Sequence, residues 1–122
     1  CYPVITAQEH SRHYGSIRYL SGHDPVLPED AEKFSCEKMG TERTPPAYLW
    51  HTASDPVVPV NNSLLYAQAL ASRGVPFELH IYPYGKHGLS TADLWTNTEI
   101  PPEVAPAAQW LPNLKSWLKR FV

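Results

Sequence analysis

The chain is poor in sulfur: two cysteines, Cys1 and Cys36, and one methionine, Met39, in 122 residues. Two cysteines make neither a disulfide framework nor a metal-ligand pattern, so both read as small buried or half-buried apolar residues. Neither sign of charge dominates. Ten basic against twelve acidic residues leave a net charge of −2, which gives no electrostatic reason to expect nucleic acid or an anionic membrane as partner. No apolar run approaches the ~18 residues of a membrane span. With 43% hydrophobic and 18% charged residues, the composition argues against disorder. The length, below the ~150 residues of the one-domain prior, allows one domain at most.

Proline is the residue in excess, at 13, against a usual share of about 5%. Pro45, Pro46, Pro56, Pro59, Pro76 and Pro83 punctuate the chain, and a cluster over 101–112 leads into the last helical pattern. Between these breaks the pattern alternates. Residues 1–6 (CYPVIT), 47–52 (AYLWHT) and 77–82 (FELHIY) read as strands. The first two show no polar alternation and suit strands covered on both faces. The third alternates Phe77, Leu79 and Ile81 against Glu78, His80 and Tyr82, which predicts a less covered strand. Pro28-Glu29-Asp30 starts a short helix with Ala31 and Phe34 inward. Asn61, Asn62 and Ser63 are candidate N-caps of a helix that Gly74 and Pro76 end. Ala107, Trp110, Leu111, Leu114, Trp117, Leu118 and Phe121 fall at helical spacing. Strands alternating with helices predict an α/β fold with parallel pairing through right-handed crossovers. The expected architecture is a three-stranded parallel sheet with flanking helices.

In open parallel sheets ligands bind beyond the carboxyl ends of the strands. Asp55 follows the 47–52 strand and His87 the 77–82 strand. Parallel neighbours lie ~4.8 Å apart, so these loops can bring a carboxylate to an imidazole. The carboxylate would fix the ring tautomer, leaving the other nitrogen as a general base. Asp55 in an Asp-Pro turn, or His87 between glycines, would alone be ordinary loop chemistry. Their joint placement, one helix apart, makes them the candidate catalytic pair. His10, His13 and His23 share a polar loop and read as solvated. His51 and His80 lie inside strands and read as structural. Asp93 follows His87 and lacks the strand-end position. Trp95 and Trp110 could line a cleft or pack in a core. No cofactor and no metal site is read from the sequence.

The segment from Pro45 to Ser90 resembles the C-terminal third of the α/β-hydrolase fold, in the esterase/lipase branch with acetylxylan-esterase-like and dienelactone-hydrolase-like proteins. The acid of that branch sits in H-x-x-x-D-x-x-V-P, here His51 to Pro59, and its histidine in G-x-H-G, here Gly85 to Gly88. The resemblance implies Asp55 as triad acid, His87 as triad histidine, and a small acyl ester as substrate, with acetyl groups on polysaccharide a candidate. It also implies a serine in G-x-S-x-G, on a sharp turn from strand to helix, earlier in the chain. The 122 residues contain no such motif. Gly15-Ser16 and Ser21-Gly22 lack the paired glycines and the preceding strand.

The sequence therefore reads as the incomplete C-terminal portion (1–122) of one α/β-hydrolase domain. It carries acid and histidine but no nucleophile, and alone is expected to be nearly inactive. The immediate strand at Cys1 would leave a bare apolar edge, so the chain is expected to pair with a missing N-terminal half or to self-associate as a homo-oligomer. Two other readings stay open: a noncatalytic α/β interaction or remnant domain, and an unrelated α/β domain in which Asp55 and His87 coincide by chance.

Overall fold

Two strands carry the fold in a computed structural model that describes residues 1–121. Along the chain lie helices α1 (Tyr14–Ser21), α2 (Pro28–Lys33) and α3 (Cys36–Met39), strand β1 (Ala47–Thr52), helix α4 (Asn61–Ser72), strand β2 (Phe77–Tyr82), a 3-10 turn (Ala105–Gln109) and helix α5 (Trp110–Leu118). Strands β1 and β2 pair in parallel, with Ala47 opposite Phe77 and Thr52 opposite Tyr82. Both loops that leave their carboxyl ends therefore open on the same side.

The α/β architecture is the expected one, but the sheet has two strands among the described residues, not three. Residues 1–6 run beside β1 and give it one backbone bond, from Tyr2 N–H to Trp50 C=O (2.8 Å). The side chain of Asn62 captures the next amides: its Oδ1 accepts from Ile5 N–H (2.8 Å) and Thr6 N–H (2.9 Å). The Ala7 N–H goes to Ser35 Oγ (3.0 Å). With the Ile5 and Thr6 donors taken by one side chain, these residues form no ladder with β1.

Helix α4 shows how sequence sets an element's end. Gly74 lies in the left-handed region (φ 66°), a conformation open to glycine at little cost. Its N–H bonds Ala71 C=O, and Val75 N–H bonds Leu70 C=O. This is the paired closure of a Schellman motif, sealed by contact of Leu70 with Val75. Leu70, Ala67 and Val75 pack on Leu49 of the sheet. Burial of a leucine such as Leu70 (1% exposed) contributes about 1.5–3 kcal/mol.

The opposite sheet face is aromatic. Trp50 stacks on Trp110 (centroids 5.4 Å, 15° between planes) and packs with Leu89, Ala92, Val104 and Ala107. Such a ring pair adds about 0.5–1.5 kcal/mol beyond its buried area. The stripe expected along the last helix is only partly covered: Leu118 and Phe121 stay exposed, as do Phe77 and Ile81 on the other face. Two strands ~4.8 Å apart are no wider than one helix of ~10 Å, so only a central row of side chains finds a partner.

Ile17 of α1 makes a smaller cluster with Ala7 and Val26 of the flanking loops, with Phe34 packed against it. In α2 the deeply buried residue is Asp30, not the expected Ala31. Its carboxylate accepts from Leu27 N–H (2.8 Å) and pairs with His23 Nδ1 (2.9 Å). Both cysteines are exposed, against expectation. Cys36 opens α3 on its outer side, while its neighbours Ser35 and Glu37 take the buried positions.

Candidate active site

The turn after β1 folds Asp55 back on itself. Its Oδ1 accepts from Val57 N–H (2.8 Å) and Val58 N–H (3.0 Å), an arrangement typical of aspartate in turns. Its Oδ2 is left for His87 Nδ1 at 2.8 Å. The carboxylate is fully buried, whereas the imidazole is 33% exposed. Burial alone would favour the neutral acid. The Val58 N–H, His87 and the Val57 N–H outweigh it and hold the Asp55 carboxyl below the ordinary carboxylate value. An ionised Asp55 can only accept, so Nδ1 of His87 carries a proton. Nε2 of the neutral ring is then a free base and, among the described residues, has no hydrogen-bond partner.

The loop that carries His87 is clamped through Gly85. Its C=O accepts from Thr52 Oγ1 (2.9 Å) and Ser54 Oγ (3.3 Å), and its N–H donates to Ser54 Oγ (3.0 Å). No side chain fits at this point. A Cβ on Gly85 would lie 2.6 Å from Leu89 Cδ1 and 2.7 Å from Thr52 Cγ2, at φ +149°. Thr52 is a buried strand residue and cannot yield. Replacing Gly85 with Ala is therefore expected to destabilise the protein by about 2–3 kcal/mol through steric overlap and backbone strain. A fall in thermal midpoint checks this, together with an upfield move of the His87 Nδ1 proton as its bond to Asp55 weakens. An unchanged midpoint would contradict it.

With this geometry in place, comparison with known proteins decides the lineage. The model of the prolyl oligopeptidase family matches residues 3–112. The chain belongs to that family, which has the α/β-hydrolase fold. The resemblance to esterases also holds. Over 92 residues, 75% of this chain, it is 44% identical to endo-1,4-β-xylanase B of Butyrivibrio fibrisolvens, of which it spans 14%. An acetyl ester-xyloside bifunctional hydrolase from Caldicellulosiruptor lactoaceticus is 41% identical and superposes with a TM-score of 0.71 over 94% of this chain and 41% of its own. A carboxylesterase from Lactobacillus plantarum is 27% identical, with a TM-score of 0.72 over 98% of this chain and 42% of its own. The chain thus spans under half the length of these solved relatives.

Within the family frame, the other candidates find different uses. His13 caps α1, its Nδ1 accepting from Ser16 N–H (3.3 Å). His23 pairs with Asp30, and His10 is exposed. Among the described residues no three metal-type side chains converge. His80 pairs with Glu78 in its own strand (2.8 Å). Asp93 organises its own loop, accepting from Thr91 Oγ1 (2.9 Å) and Trp95 N–H (3.0 Å). Trp110 is a core residue whose Nε1–H donates to Ser90 C=O (3.0 Å), tying α5 to the loop after His87. Trp95 is 96% exposed.

Sequence reasoning missed one residue of the site. Tyr2 sets its ring edge-on to His87 (centroids 4.8 Å) and to Trp50 (5.1 Å), and its hydroxyl accepts from Ser90 N–H (3.0 Å). Its apolar neighbours mark it as a strand residue, and nothing local points to a partner 88 positions away. A cleft of about 350 Å³ opens beside the same loop, lined by Lys86, Leu89, Thr98, Glu99, Pro101 and Val104.

Proposed function

We propose that this chain supplies the acid and the general base of a serine carboxylic-ester hydrolase that acts on small acyl esters, acetyl groups on polysaccharide among them. The observation that carries the reading is the 2.8 Å contact of Asp55 Oδ2 with His87 Nδ1, which leaves Nε2 free on the open side. A serine hydroxyl brought to Nε2 would lose its proton to His87 as its oxygen attacks the ester carbonyl. His87 would return that proton to the departing alkoxide, and Asp55 would stabilise the imidazolium meanwhile. Water, deprotonated in the same way, would then release the acid from the acyl-enzyme.

The nucleophile and the oxyanion donors lie outside these 122 residues, which contain no G-x-S-x-G. The partner of this chain in that reaction is therefore further polypeptide carrying the serine. The esterase names among the solved relatives support ester over peptide substrates.

The test is hydrolysis of p-nitrophenyl acetate, acetylated xylan and a chromogenic prolyl peptide by the longer protein that contains these residues. Ester turnover abolished by His87→Ala is the expected result. Peptide cleavage without ester cleavage would overturn the substrate class. Turnover of neither, by a folded protein, would favour a noncatalytic interaction domain.

A further inference from the structure

His51 lies in β1 with its side chain fully buried, beside the acid turn. Its Nε2 is 3.0 Å from Val58 C=O and its Nδ1 2.8 Å from Ser63 Oγ on α4. A carbonyl only accepts, so Nε2 carries the proton, and the neutral ring's Nδ1 accepts from the Ser63 hydroxyl. The Val58 carbonyl thus fixes the tautomer, and the Ser63 hydroxyl satisfies Nδ1. The Nε2–H also points near Asp55 Oδ2, at 3.4 Å.

These bonds form a chain of position. Val58 is held at both peptide groups that flank its Cα: its N–H by Asp55 Oδ1 (3.0 Å), its C=O by His51 Nε2. Were the Val58 backbone to shift, Oδ1 would lose that N–H and Oδ2 its aim at His87. We infer that His51 is a positioning residue, which fastens the Val58 backbone through its carbonyl and so holds the Asp55 carboxylate in line with His87. The inference rests on the catalytic reading of Asp55 and His87 and assigns His51 a part in it beyond packing.

The ring must also be neutral for this purpose. A charged His51 would compete with His87 for Asp55 Oδ2. Burial pushes the His51 pKa down, against the opposing pull of the Val58 carbonyl and Asp55, so the neutral form prevails. Glutamine can place an N–H near the position of Nε2; leucine has none.

The test is steady-state ester hydrolysis by the longer protein, with proton NMR of the His87 Nδ1–H. His51→Leu is expected to lower kcat by about 10²-fold with KM nearly unchanged, the scale expected for a small misplacement of a reacting group. The His87 Nδ1 proton should move upfield as its bond to Asp55 lengthens. His51→Gln should restore most of both. Should His51→Leu fail to fold, Ser63→Ala removes only the hydroxyl that anchors Nδ1 of the ring to α4 and is expected to lower kcat several-fold with the same upfield movement. A folded His51→Leu or Ser63→Ala protein with wild-type kcat and an unmoved resonance would overturn the inference, as would a His51→Gln no better than His51→Leu. If Asp55→Ala also retains activity, the catalytic reading itself has failed; if Asp55→Ala is dead, only the part given to His51 has.

Discussion

Replacing Asp55 with asparagine is expected to lower kcat of ester hydrolysis by about 10⁴-fold, the scale of the same change in a serine-protease triad. That is a loss of about 5.4 kcal/mol of transition-state stabilisation. The cause is the direction of hydrogen bonding. Oδ1 of Asp55 faces two donors, Val57 N–H and Val58 N–H. An amide at this position must turn its oxygen to them and its NH₂ to His87. Nδ1 of His87 would then have to accept, which moves the ring proton to Nε2 and leaves no base to receive the serine proton. The substitution barely changes shape, so the fold should survive and KM should change little. Turnover of p-nitrophenyl acetate by the longer protein, together with an unaltered circular-dichroism spectrum, checks this. A loss smaller than tenfold would mean that Asp55 does not orient the imidazole.

The parts of this arrangement legible in the sequence are those whose causes are local. The 47–52 and 77–82 runs are apolar, bounded by prolines and turn residues, and the structure gives them the same limits. The order strand, helix, strand implies parallel pairing and so puts the loops after Thr52 and Tyr82 side by side. Gly74 announces the end of α4 through its own backbone freedom. The illegible parts depend on distant side chains. Residues 1–6 have a strand's composition, but their amides meet Asn62 some 56 positions on. Asn62 itself fits the local rule for an N-cap, yet Val60 occupies that place and the amide turns to the N-terminal segment. His51 looks structural in the sequence because its partners, Val58 and Ser63, become meaningful only when the turn and α4 are folded around it.

That distant knot carries the second large effect. Asn62 is fully buried and uses both ends of its amide. Oδ1 accepts from Ile5 N–H and Thr6 N–H, while Nδ2 donates to Ser11 C=O (2.7 Å) and Pro59 C=O (2.9 Å). Leucine has nearly the same shape but neither donor nor acceptor, so Asn62→Leu would strand two buried N–H groups and the Ser11 carbonyl, while Pro59 C=O keeps its bond from the residue-62 N–H (3.0 Å). Each orphaned buried group costs about 1–3 kcal/mol, and relaxation recovers part of the sum. The expected destabilisation is about 3–5 kcal/mol, in the range reserved for broken buried networks. In the longer protein it should appear as a fall in thermal midpoint of roughly 10 °C or more. The damage should also reach the site. Tyr2 is held against His87 by the same N-terminal segment that Asn62 pins. Released, that segment would free one side of the imidazole, so activity should fall well below the thermal midpoint, before the bulk of the fold is lost. A change below about 1 kcal/mol would show that water satisfies these three groups as well as the amide does.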